Sequence, residues 1–150
     1  MDRTRFENDV KLCVYQRTVE HCHPPTSHEV ARELRVSVAE VEQAFVALHA
    51  KRLLVPEPGD LSRIRMAPPF SGIETGFETL VESRRYHANC AWDALGVAAA
   101  LHHDAEIEAR DGHTGEPIHL AVRGGRPLPE PCVIHFAVPA ARWWDDIIHT

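Results

Sequence analysis

Amphipathic segments separated by short polar turns fill the N-terminal third of the chain. The first has one apolar stripe, and its period predicts a helix over residues 6–20. Proline cannot continue a helix, so this one is expected to end before Pro24 and Pro25. The stripe consists of Phe6, Val10, Cys13 and Val14.

Two capping boxes predict where the next helices begin. Thr26 precedes Glu29 by three residues, and Ser37 stands in the same relation to Glu40. In this motif a hydroxyl and a carboxylate satisfy backbone N–H groups that a helix start leaves free. We therefore predict helices over 27–34 and 38–52. The second has an apolar face made of Val41, Ala44, Phe45 and Leu48.

A hairpin is predicted after these helices, with strands at 53–55 and 61–66 and a Pro- and Gly-containing turn at 56–60. Three helices followed by a hairpin are the element order of a winged helix. Residues 1–66 are therefore interpreted as a winged-helix-like domain. Residues 67–84 are interpreted as a linker, rich in proline at Pro68-Pro69, and a short helix anchored by Phe77, Leu80 and Val81.

The remaining residues, 85–150, predict a small sheet domain with one buried helix. The alanine- and leucine-rich stretch 90–101 suits a helix, and Asn89 is a good N-cap. Alternating stretches at 105–109 and 117–122 and an apolar run at 132–138 predict three strands, with a helical turn or loop at 142–146. The predicted fold class is α+β.

The charge and hydrophobicity of the chain indicate which classes of binding partner are expected. The formal net charge is −6, and the face of the predicted helix 38–52 is acidic or neutral, at Ser37, Glu40, Glu42, Gln43 and His49. DNA binding relies on Lys and Arg, so a nucleic-acid partner is not expected, although a winged-helix regulator stays open as an alternative.

No apolar run reaches the roughly 20 residues of a membrane helix, and the N-terminus lacks the apolar core of a secretory signal. A cytoplasmic protein without a membrane partner is expected; the sequence does not indicate its oligomeric state.

Four cysteines, at positions 13, 22, 90 and 132, are widely spaced. In a cytosolic protein such spacing favours reduced thiols over a disulfide framework. Cys13 on the apolar stripe is expected to behave as a small buried hydrophobe. The run His21-Cys22-His23 raises a zinc hypothesis, but three adjacent residues cannot all point at one ion. A surface loop is the preferred interpretation.

Cys90 and Asp93 are the candidate reactive residues. At the start of a helix the dipole favours a thiolate, which predicts a lowered pKa for Cys90 and affinity for soft metals. Asp93 lies three residues on, on the same face, where a carboxyl can carry a proton. The alternative interpretation is a core cysteine beside an ordinary first-turn acid, since buried free cysteines are common.

The block from Arg85 to Val122 resembles organomercurial (alkylmercury) lyases. The resemblance rests on Cys90-Ala91-Trp92-Asp93 at a helix start, on the turn His113-Thr114-Gly115, and on the strand that begins Pro117-Ile118. It implies that Cys90 binds the mercury of a small organomercurial, and that Asp93 delivers a proton as the carbon–mercury bond breaks. A hydrocarbon and Hg(II) would result, with no cofactor.

The resemblance also implies a second catalytic cysteine. In the family it follows the strand that Cys132 would begin, so Cys132 is a doubtful substitute. The register of the resemblance places the second cysteine immediately after Thr150, so a truncated chain is expected. One hypothesis for its cause is a selenocysteine codon read as a stop. A non-catalytic thiol protein that binds mercury or another soft metal therefore remains an alternative to a lyase.

Overall fold

The computed structural model describes residues 2–129 and 133–149. In its first half, helices α1 to α3 precede a three-stranded antiparallel sheet in the order β1-β2-β3. The elements are α1 (Arg3–His21), α2 (Ser27–Leu34), α3 (Val38–Ala50), β1 (Val55–Glu57), β2 (Asp60–Ala67) and β3 (Phe70–Ser71).

The second half is a five-stranded antiparallel sheet, ordered β5-β4-β6-β7-β8, with one helix packed against it. A short 3₁₀ helix follows at Ala140–Asp145. The elements of this half are β4 (Glu78–Val81), β5 (Arg84–His87), α4 (Ala91–Leu101), β6 (Ala105–Arg110), β7 (Pro117–Arg123) and β8 (Arg126–Leu128). The mixed helix-and-sheet class predicted from the sequence is confirmed.

Local sequence signals explain the helix starts in the first half. The Thr26 and Ser37 hydroxyls accept the backbone N–H groups of Glu29 and Glu40, and each glutamate carboxylate returns to the N-cap backbone. Both predicted capping boxes are therefore confirmed. Cys13, as expected, is a buried member of the core that α1 to α3 enclose.

Two segments differ from the sequence prediction. The short helix expected within 67–84 is wrong, because this stretch contains no helix; it forms β3, β4 and the start of β5, joined by turns and irregular segments. The anchors Phe77, Leu80 and Val81 have helical spacing, but Leu80 and Val81 lie in β4, which pairs with both β5 and β6. Strand pairing therefore overrides the local pattern.

The third strand expected at 132–138 is also wrong over its described part, 133–138, which forms neither helix nor strand. Val133 is 88% exposed, so this apolar run does not enter the core. Strand β8 instead completes the sheet by pairing with β7. Cys132 lies outside the described residues, so its predicted place at the start of a strand is not addressed.

Aromatic residues connect the two halves. Tyr15 of α1 donates its hydroxyl to the Pro68 carbonyl at 2.8 Å, and Tyr86 of β5 donates to the Val19 carbonyl at 2.9 Å. The ring of Phe70 lies between these tyrosines, and its backbone forms an isolated antiparallel bridge with Ala88. The end of the first sheet thus lies beside the approach to α4. The domain boundaries inferred from the sequence stay a prediction.

Across residues 2–129 and 133–149, none of the helices is both long enough and apolar enough to cross a membrane.

Candidate active site

Cys90 is the N-cap residue of α4. Its backbone is extended (φ −159°, ψ 179°), and its sulfur accepts the backbone N–H of Asp93 at 3.4 Å. The sequence prediction of Asn89 as the N-cap, with Cys90 inside the first turn, is wrong by one position. The sulfur itself therefore satisfies a free N–H group of the helix start.

The surroundings of Cys90 act on its thiol in opposite directions. Burial raises the pKa of this thiol, and the charge of Asp93 raises it further, while hydrogen bonds from the Asp93 and Trp92 backbone oppose them. The net direction is upward, so the lowered pKa expected from the helix dipole is wrong. Desolvation of a thiolate outweighs the two N–H donors.

Asp93 is a half-buried acid at the third helical position. Burial raises the pKa of its carboxyl, and the hydrogen bond from Asn89 opposes that rise. A raised pKa favours the protonated carboxyl, which is the form that can donate a proton.

Asn89 holds this carboxyl in place. Its side-chain N–H₂ group lies 2.9 Å from Asp93 Oδ2, 3.2 Å from the Phe70 carbonyl and 3.4 Å from the Pro69 carbonyl. Three acceptors around one amino group fix the orientation of the amide, and the buried Oδ1 atom has no hydrogen-bond partner among the described residues. Asn89 thereby joins the acid to the end of the first sheet.

The position of α4 is set by two close contacts. Thr79 of β4 is fully buried and donates its hydroxyl to the Ala94 carbonyl at 2.8 Å. A Cβ atom at Gly96 would lie 3.1 Å from Cβ of Pro69, which is tighter than ordinary packing. Glycine therefore lets the helix approach the proline segment closely.

Cys90 and Asp93 open into a pocket of about 320 Å³. Three stretches of chain form it: the region around α3 and β2, the start of α4, and the segment after residue 133. Its polar members are Arg52, Asn89, Cys90 and Asp93; its apolar members are Met66, Pro68, Trp92, Phe136, Trp143, Trp144, Ile147 and Ile148.

The segment after residue 133 contributes the aromatic wall of the pocket. Trp143 donates its indole N–H to the Val138 carbonyl at 2.8 Å, and its ring centroid lies 4.9 Å from that of Phe136. Trp144 lies 5.9 Å, between ring centroids, from His49 of α3. The wall is thus connected to the first half of the molecule.

Other candidate sites lack comparable chemistry. A larger groove of about 680 Å³ runs between α4 and the end of the second sheet, but no cysteine lines it. Cys13 and Cys22 lie on or at the end of α1, away from the pocket. Within the described ranges no three His, Cys, Asp or Glu side chains are grouped to hold a metal ion, so the zinc hypothesis at His21-Cys22-His23 has no support there.

Sequence reasoning thus identified Cys90 and Asp93 as neighbours, and the structure places both at one helix start in the same pocket. Sequence reasoning missed Asn89 as a hydrogen-bond partner of Asp93, although the spacing of four residues between them was a usable signal. Arg52 and the tryptophans were also missed, because no local pattern connects them to Cys90.

These features define a helix-and-sheet protein with a thiol and an acid in an aromatic pocket. Residues 70–150, slightly more than half of the chain, match the alkylmercury lyase (MerB) family. The chain therefore belongs to the alkylmercury lyase family.

A solved structure has the same fold. It is a crystal structure of the mercury-bound form of MerB2, with a TM-score of 0.62 and 23% sequence identity. The similarity covers 81% of this chain and 59% of that chain, so the present chain spans less than two thirds of its length. No curated protein matches the sequence.

Proposed function

We propose that the protein cleaves carbon–mercury bonds of small organomercurials, with Cys90 as the mercury-binding thiolate and Asp93 as the proton donor. The observation that carries this is the placement of both groups at the N-terminus of α4, in one apolar pocket, in a chain of the alkylmercury lyase family.

The first step is exchange of the mercury ligand. The Cys90 thiol loses its proton and its sulfur bonds to the mercury of R–Hg–X, releasing X⁻. Soft sulfur suits the soft metal, and this affinity offsets the raised pKa of the thiol. The released proton can be taken up by the neighbouring Asp93 carboxylate, whose raised pKa favours the neutral form.

The second step is protonation of carbon. Sulfur donation to mercury increases electron density on the bonded carbon, and the Asp93 carboxyl transfers its proton there. The electron pair of the carbon–mercury bond stays with carbon, so a hydrocarbon R–H leaves and Hg(II) remains on Cys90. The pocket aids this step because Asp93 is half-buried among its apolar residues, and this burial raises the pKa of the carboxyl and keeps a proton on it.

Release of hydrocarbon tests this proposal directly. The protein is incubated with phenylmercury or methylmercury and excess small thiol, and benzene or methane is measured in the headspace. We expect hydrocarbon from the wild type and none from Cys90→Ser. Cys22→Ser is the matched control, because Cys22 is also half-buried but lies outside the pocket. Equal release from all three proteins would refute the assignment.

A second candidate is mercury binding without cleavage. It is favoured by one observation: in the described part of the chain, Cys90 is the only cysteine lining the pocket. Retention of mercury under competing thiol, with no hydrocarbon in the headspace, would identify this function instead.

For the N-terminal half we propose a winged-helix-like unit with a structural role. Arg52, Met66 and Pro68 from this half line the pocket, so it contributes to the site. The helix that would read DNA, α3, carries Glu40 and Glu42, which disfavour contact with phosphates. A salt-sensitive, sequence-selective gel shift would overturn this and support a regulator.

A further inference from the structure

The pocket that contains Cys90 has few charged side chains. Among the described residues that line it, Arg52 is the only cation and Asp93 the only acid. Arg52 is exposed, and it forms no ion pair with any residue in the described ranges. An unpaired guanidinium on an apolar pocket is a ready partner for a carboxylate, which it can bind through two parallel N–H groups.

Other residues that line the pocket are aromatic. Phe136, Trp143 and Trp144 line the same pocket, and flat rings favour other flat rings in offset or edge-to-face arrangements. A volume of about 320 Å³ is at the lower end of the range of small-molecule sites. The pocket therefore suits a compact aromatic group with one anionic substituent.

We propose that Arg52 is a specificity-determining residue that selects arylmercury compounds bearing a carboxylate on the ring. The mercury is held at Cys90, the ring lies against the tryptophans, and the carboxylate pairs with the Arg52 guanidinium. This inference rests on the proposed function, because it assumes that the organomercurial binds at Cys90.

The backbone at Arg52 makes a clean variant possible. Arg52 has φ 60°, in the left-handed region, where asparagine is accommodated more easily than most residues. Arg52→Asn therefore removes the charge without opposing the local conformation. Arg35 is a matched control: it is also exposed, follows α2 with φ 56°, and does not line the pocket.

Binding can be measured without relying on cleavage. All three tryptophans of the protein line the pocket, so their fluorescence reports on bound mercury, a heavy atom that quenches emission. The probes are 4-carboxyphenylmercury and its neutral analogue of similar size, 4-carbamoylphenylmercury, each titrated against a fixed concentration of competing thiol. The readout is the ratio of the two affinities.

We expect the wild type and Arg35→Asn to favour the carboxylate by about fivefold at low salt, and this preference to fall as salt is added. Arg52→Asn should bring the ratio close to one with little change for the carbamoyl compound. Equal affinities of the wild type for the two compounds, or an unchanged affinity ratio in Arg52→Asn, would overturn the role of Arg52 and leave the proposed function untouched. Binding that is unaffected in Cys90→Ser would instead overturn the proposed function, and this inference with it.

Discussion

Two helix starts in this protein have the same local construction and different surroundings. Helix α3 begins Ser37-x-x-Glu40, and α4 begins Cys90-x-x-Asp93; in both, the N-cap side chain accepts the backbone N–H of the acidic residue. At α3 the carboxylate returns to Ser37, bonding its backbone N–H at 2.9 Å and its hydroxyl at 2.6 Å. At α4 the carboxylate is held by Asn89 instead.

The consequence is opposite for the two acids. Hydrogen bonds from Ser37 lower the pKa of Glu40, whereas burial raises the pKa of Asp93. The same four-residue pattern therefore gives a charged structural cap on the surface and a proton-holding acid in a pocket. What separates them is desolvation, together with a sulfur in place of a hydroxyl.

Replacing the sulfur should have the largest effect. Cys90→Ser converts the site into a second hydroxyl cap, so the helix start should be preserved while organomercurial binding is abolished, because oxygen is a poor ligand for a soft metal. Mercury stoichiometry under competing thiol measures binding, and thermal denaturation checks the fold.

The reverse exchange sharpens the comparison. Adding Ser37→Cys to the Cys90→Ser protein recreates a sulfur N-cap at α3, but it is exposed and lies outside the pocket. We expect no hydrocarbon release from the double variant. Restored cleavage would mean that a capping thiol is sufficient and that the pocket is not needed.

Removing the proton donor should have the second-largest effect. Asp93→Asn is expected to leave mercury binding largely intact and to slow cleavage by about 10²–10⁴-fold, the usual contribution of a positioned acid. Glu40→Gln should leave cleavage unchanged. The comparison uses single-turnover benzene release together with mercury binding; a binding loss as large as in Cys90→Ser would show that Asp93 is a ligand or a structural group.

A smaller effect is expected when the acid is only misplaced. Asn89→Leu keeps the approximate size of the side chain but removes the donor to Asp93, and we expect cleavage to slow by about tenfold with mercury binding retained. Thr79→Val is the control, since it removes a hydrogen bond to the same helix without touching the acid. An equal loss in both variants would indicate that general loosening of α4, not the amide, is responsible.

The smallest expected effect is on stability, and its sign differs between the two acids. The lowered pKa of Glu40 means that its stabilisation is present above its unfolded-state pKa and is lost as pH falls through its folded-state pKa. The raised pKa of Asp93 means that its contribution is present below the unfolded-state pKa and is lost as pH rises through the folded-state pKa.

Asp93→Asn should therefore raise the melting temperature at neutral pH, and Glu40→Gln should lower it. Thermal denaturation of both variants and the wild type from acidic to neutral pH tests this. Parallel shifts of the same sign would contradict the assigned environments.

Much of the fold was predictable where the signals are local. The capping boxes at Thr26 and Ser37 identified the starts of α2 and α3, because the hydrogen bonds involved span three residues. The prediction was wrong where pairing is long-range: the segment with Leu80 and Val81 is a strand because β5 and β6 flank it. The apolar run after Val133 has strand composition but no strand partner in the described structure.

For the site, the sequence alone determined that a thiol and a carboxyl stand three residues apart at a helix start, since that depends only on helix geometry. The tertiary structure decided their chemistry. Burial reversed the expected direction of the Cys90 pKa, and Asn89 and the Pro69 and Phe70 carbonyls oriented the acid. Arg52 and Trp144 reach the pocket from positions distant in the chain, and only folding brings them there, because desolvation and pocket shape depend on every segment that packs around the helix.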